Sequence, residues 1–140
     1  MMNVTIEQVQ GRVPVTIMKL AGQLDASCYL DVIETGKKLH QEGVRDLLID
    51  MSEMTFMASS GLVALHNIAL LMRGEQPQDP EAGWAAMHAI NRDVQNSGGY
   101  ESHCKLLNPT PSVRKTLDVT GFANLFEIFD GRDEAIAAFG

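Results

Sequence analysis

Cysteine, aromatic residues and positive charge are all scarce in this chain, and each shortage removes a class of function. The two cysteines, Cys28 and Cys104, stand far apart in 140 residues. They make neither a metal-ligand spacing nor a disulfide framework, and they fit a reducing, cytoplasmic setting. Lysine and arginine total 11 against 18 aspartates and glutamates, a net charge of −7. A nucleic-acid binder needs a basic face and a lipid-docking protein a basic patch, so neither partner is expected. No apolar run approaches the roughly 20 residues of a membrane span, so direct membrane insertion is not expected. The start, Met1-Met2-Asn3-Val4-Thr5, lacks the basic-then-apolar pattern of a secretory signal. Gly-x-Ser-x-Gly, a phosphate loop, a glycine-rich dinucleotide turn and a zinc helix are all missing. His40, His66, His88 and His103 are scattered without ligand spacing. No metal, cofactor or enzymatic activity is expected.

What is present is the composition of one globular domain with an aliphatic core. Hydrophobic residues make up 45% of the chain, aromatics only 6%, and eight residues are Met. Val4, Ile6 and Val9 alternate weakly, and Val13 to Leu20 alternates after Gly11, so a hairpin closing near Gln10-Gly11 is predicted. Ser27 is the candidate N-cap of a helix ending at Gly43. Leu47-Leu48-Ile49 is a short apolar run that fits a central strand, covered either on both faces or on one. From Ser60 onward Leu62, Leu65, Ile68, Ala69 and Met72 keep helical spacing. The extra Val63, Leu70 and Leu71 predict a largely buried helix. Asp79-Pro80-Glu81 starts a further helix, along which Trp84, Met87 and Ile90 recur. Lys105-Leu106-Leu107 is a short strand. Thr110-Pro111 opens a helix that Gly121 closes, Leu125 to Phe129 is a last strand, and Asp130 caps a C-terminal helix. Strands separated by helices imply an α/β sheet with helical cover.

The most pointed local feature is Ser59-Ser60-Gly61, between a strand and the buried helix. A helix start exposes about four unpaired N–H groups and carries partial positive charge. The serines can simply cap it, or a phosphate there can be held by the same N–H groups. Gly61 in the first turn is poor for helix stability, which leaves room for a close approach by another backbone or a partner. Cys28 is either a reactive thiol at a helix start or a small buried apolar residue.

Leu47-Leu48-Ile49-Asp50-Met51-Ser52 followed by Met54-Thr55-Phe56-Met57-Ala58-Ser59-Ser60-Gly61-Leu62 resembles the signature of STAS domains, which include bacterial anti-sigma factor antagonists and the cytoplasmic tails of sulfate transporters. Leu20-Ala21-Gly22-Gln23-Leu24-Asp25, Leu106-Leu107-Asn108-Pro109 with Val113-Arg114 and Leu117, and Thr120-Gly121-Phe122 with Leu125-Phe126 agree in order and spacing. The resemblance implies a single STAS domain over 1–140 with an insertion at about 74–97. It implies a four- to five-stranded mixed sheet with helices mainly on one face, the insertion adding a helix between the second helix and the following strand.

The same resemblance implies a partner-switching regulator. Its partner would be an anti-sigma factor that is also a serine kinase, engaged through Asp25, Ala58, Ser59, Ser60 and Gly61. Ser59, with Ser60 as neighbour, would be the phosphorylated position, and a phosphatase would reverse the mark. Asp25 belongs to this face through the resemblance alone; its plainer role is a turn or cap. The family pattern carries Asp where Ala58 stands. The insertion either covers the domain or offers Trp84, Met87 and Ile90 to a partner or a second copy, so a homodimer is among the expected assemblies. Two other readings remain open: an adaptor subunit of a lipid or anion transport system, docking by the second-helix face, and a module that senses a small ligand.

Overall fold

The computed structural model describes residues 2–75 and 100–140. The helix expected from Asp79, with Trp84, Met87 and Ile90, lies outside the described residues. Asn3–Gln10 (β1) and Pro14–Leu24 (β2) form an antiparallel hairpin, Gln10 standing opposite Pro14 across the turn. Leu47–Asp50 (β3), Cys104–Leu107 (β5) and Ile128–Phe129 (β6) add parallel strands in the order β1-β2-β3-β5-β6. Met54–Met57 (β4) pairs parallel with the end of β2, off this path. Among the described residues the mixed sheet therefore has six strands, two of them short pieces at its margins. Four helices accompany it among the described residues: Tyr29–Gln41 (α1), Ser59–Met72 (α2), Pro111–Thr120 (α3) and Arg132–Ala137 (α4).

β3 shows how the sequence divides the molecule into layers. Leu47 and Ile49 point into the larger core, with Met18 and Leu20 of β2, Ile33 of α1, Leu65 and Ile68 of α2 and Val113 and Leu117 of α3. Leu48 points the other way, onto Val15, Ile17, Leu107, Ala135 and Phe139. Alternation along a strand sends successive side chains to opposite faces. An unbroken apolar triplet is therefore what a strand covered twice requires. Three helices cover one face and α4 the other, which is the expected arrangement. On the α4 side Lys105 is buried, its Nζ 3.1 Å from Glu127 Oε1 and 5.4 Å from the centre of the Phe139 ring. Both partners offset the cost of withdrawing the ammonium from water.

Three local expectations are corrected. Ser27 does not cap α1: its hydroxyl donates to Asp25 Oδ1 at 2.5 Å, Cys28 holds the cap position, and the helix begins at Tyr29. Asp130 does not cap α4, whose cap position is Gly131. The strand expected over Leu125–Phe129 shrinks to Ile128–Phe129, because Phe122–Asn124 forms a 3-10 turn. The stacked rings of Phe122 and Phe126, both buried and 6.0 Å apart, hold that turn in place of extended chain. Gly121 closes α3 as expected, in the left-handed conformation at φ +84°.

α1 meets α2 at Gly36. A Cβ there would lie 3.0 Å from Ile68 Cγ1, so the two helices are as close as a glycine allows. Gly36→Val is expected to lower stability by about 1–3 kcal/mol, the usual cost of overpacking. Urea unfolding measures it, and an unchanged midpoint would show that the helices separate freely.

Candidate functional site

β2 and β4 run side by side and end together, and this places the site. The Leu24 carbonyl at the end of β2 accepts from the Ala58 N–H at 2.9 Å, tying the loop that leaves β2 to the start of α2. Asp25, one residue beyond, therefore leaves β2 beside the residue that precedes α2.

Ala58 occupies the cap position of α2 in extended conformation (φ −84°, ψ 174°), and its methyl group can accept no hydrogen bond. The first turn also holds no acidic residue. The positive end of this helix dipole thus meets no carboxylate from its own cap or first turn. α2 begins at Ser59, one residue earlier than its apolar spacing suggests. Ser59 is exposed and Ser60 half-buried, and neither hydroxyl is hydrogen-bonded among the described residues. Neither serine therefore acts as a side-chain cap here.

Gly61 is buried. A Cβ on it would fall 2.7 Å from Met57 Cγ and 3.0 Å from Leu24 Cγ. Its missing side chain is filled by the protein's own core, where the sequence had left room for a partner's approach. The sharp entry from β4 into α2 needs this glycine because Met57 and Leu24 pack directly beneath the first turn.

Asp25 organises its own loop. Its carboxylate accepts from the Ser27 hydroxyl at 2.5 Å and the Ser27 N–H at 3.0 Å, and its carbonyl accepts from the N–H groups of Cys28 and Tyr29. The Ser27 hydroxyl, then the Ser27 N–H, holds the Asp25 carboxyl below its ordinary pKa. Cys28 Sγ lies 3.3 Å from the Gln23 carbonyl and is partly buried. Cys104, in contrast, is fully buried in β5, and desolvation pushes its thiol pKa far up.

One residue beside the site escaped the sequence reading. Phe56, in β4 opposite Gln23, is 47% exposed, an unusual place for an aromatic ring. Strict alternation along Met54–Met57 would bury one of Met54 and Met57 and expose the other. Both are buried instead, with Thr55 and Phe56 outside. The pairing with β2 shifts register between Gly22 and Gln23, and Gly22 sits at φ +112°. That glycine, at the end of an alternating strand, was the available signal.

Among the described residues no group of three or more His, Cys, Asp or Glu side chains could hold a metal ion. No helix among them is long and apolar enough to cross a membrane.

The fold is a small mixed α/β module whose second helix is buried along most of its length and exposed at Ser59. The family model described as the STAS domain matches residues 6–75, half of the chain, and the chain belongs to that family. The structure of an anti-sigma factor antagonist from Mycobacterium paratuberculosis is similar, with a TM-score of 0.68 at 17% identity over 99% of this chain and 93% of the other. The antagonist SpoIIAA in its unphosphorylated form gives 0.60 at 20% identity over 96% and 93%. The Bacillus SpoIIAA in its phosphorylated form gives 0.54 at 19% identity over 96% of each chain. No curated protein sequence matches the chain.

Two measurements test this geometry. Gly61→Ala is expected to cost about 1–3 kcal/mol by overpacking, and Met57→Ala in the same chain to make the pair less costly than the sum of the two. A purely additive pair in urea unfolding would place the clash elsewhere. Ser27→Ala is expected to raise the Asp25 pKa toward its ordinary 3.8, read by NMR titration. Because folding lowers this pKa, Asp25 stabilises the fold above pH 3.8, and the contribution fades as pH falls through the lowered value. An unmoved pKa would remove the Ser27 hydroxyl as its cause.

Proposed function

We propose that this chain is an anti-sigma factor antagonist-like regulator without enzymatic activity. It binds an anti-sigma factor of the serine-kinase type through Asp25, Ala58, Ser59 and Ser60, over the backbone of Gly61, with the Phe56 ring at its margin. Phosphorylation of Ser59 ends that complex, and a phosphatase restores it. The observation that carries this reading is the Ser59 hydroxyl, exposed and without a hydrogen bond at the head of a helix whose remaining turns are buried. A kinase can reach it without disturbing the core. The added charge, about −1.5 to −2, falls on a helix N-terminus with no competing carboxylate in its first turn. The modified domain therefore stays folded while its surface turns hostile to a packed partner. The same hydroxyl has no hydrogen bond to a base among the described residues, which weighs against a serine nucleophile.

The burial of Gly61–Met72 leaves the adaptor reading little of the second-helix face to dock with. It retains only the first turn, which is the surface assigned above to the kinase.

Incubation with ATP and an anti-sigma kinase from the same genome, followed by mass spectrometry, is expected to place phosphate on Ser59. Modification of neither Ser59 nor Ser60 would end the switch and leave the binding claim standing. Ser59→Asp is expected to weaken kinase binding at least about tenfold (about 1.4 kcal/mol), with Ser59→Ala near wild type. Equal binding by all three would overturn the assigned surface.

A further inference from the structure

Among the described residues β1 is paired on one side only. Its outer side is an open sheet edge eight residues long, in unbroken register with β2. It contains no proline, lysine or bulge, the devices that usually blunt such an edge. Its single charge, Glu7, is bound by Arg132 of α4 at 2.5 Å. Val4 and Ile6 are 37% and 39% exposed, and they stand opposite Leu20 and Met18, hence on the face that α1 to α3 cover.

We propose that this edge pairs antiparallel with β1 of a second copy, across a two-fold axis at Thr5, so that one sheet runs through the dimer. A two-fold perpendicular to the sheet keeps each face on its own side, so the axis must pass through a residue position. At Glu7 it would set two carboxylates against each other, which is destabilising. At Ile6 it would place Val4 against a glutamine. At Thr5 it sets Val4 against the partner's Ile6 and Ile6 against the partner's Val4, gathering four exposed β-branched side chains into one apolar cluster. The two Thr5 hydroxyls meet on the opposite face, and Asn3 faces the partner's Glu7, an amide beside a carboxylate. The spacing of Val4 and Ile6 about Thr5 is thus self-complementary, which is what an isologous contact demands and a foreign strand has no reason to match. This assembly is independent of the role of Ser59.

Sedimentation over a range of concentrations is expected to show a monomer–dimer equilibrium. Val4→Lys/Ile6→Lys is expected to raise its dissociation constant at least about tenfold. Mixing that chain with Val4→Glu/Ile6→Glu should restore the dimer through cross-strand ion pairs. The axis is read separately by disulfide trapping in a Cys28→Ser background. Thr5→Cys places two thiols at directly opposed positions, within bonding range, and should cross-link on oxidation. Gln8→Cys places them about 20 Å apart, six residues along a strand, and should not. A wild type that stays monomeric up to about 1 mM overturns the proposal, as does cross-linking at Gln8→Cys equal to that at Thr5→Cys. Circular dichroism confirms that each variant is folded; where the lysine pair is not, the trapping result decides.

Discussion

Twelve of the fourteen residues of α2 are withdrawn from water, and this burial constrains everything around them. A helix enclosed on all sides cannot tilt or slide without opening a void in a core packed at crystal-like density. Only its first turn, Ser59 and Ser60, reaches the surface. The start of α2 is therefore a surface point set on a rigid support. The burial is not free of cost. Asn67 lies within it, and although its amide donates to the Val63 carbonyl at 3.2 Å, its Oδ1 has no hydrogen-bond partner among the described residues. An unsatisfied buried acceptor costs about 1–3 kcal/mol, which the surrounding apolar contacts must offset.

The site depends on a second, smaller constraint. The single hydrogen bond from Ala58 N–H to the Leu24 carbonyl joins two loops that the sequence separates by more than thirty residues. On one side of it, Asp25 spends its carboxylate on Ser27 and so holds its own loop closed. On the other, Ala58 contributes no side-chain bond at all. The shape of this surface is thus set by backbone and by an aspartate whose Oδ1 is engaged with Ser27, while the hydroxyls of Ser59 and Ser60 take part in no hydrogen bond among the described residues.

Much of the layer structure was legible because it rests on signals confined to short stretches. Leu47-Leu48-Ile49 reads as a central strand from three residues, its cover on both faces being settled by the packing, and Gly121 marks a helix end by its backbone alone. The misreadings share a different cause: each turned on which of several partners a group would choose. Ser27 could cap a helix or serve Asp25, and its neighbour two residues back decided. Gly61 could admit a partner or its own core, and the choice was made by Met57 and Leu24, which reach it through the fold. Phe56 followed a register shift that β2 imposes on β4. The attention to Ser59 and Ser60 came from family resemblance, since spacing alone allows a simple cap, a role that neither hydroxyl takes.

The strand order also dictates how the chain comes together. β1 and β2 are neighbours in sequence and can zip from their turn. One edge of β3 can pair with β2, Leu47 lying opposite Thr16, but its other edge must wait for β5, where Leu47 meets Cys104. Until that stretch has emerged from the ribosome, Leu47–Asp50 has an open edge on a strand destined to be buried on both faces. Long-range parallel pairing is slow, and such an edge invites other chains. The half-made protein is therefore the form that most needs a chaperone, and truncations ending before residue 104 are the ones that should clump rather than fold.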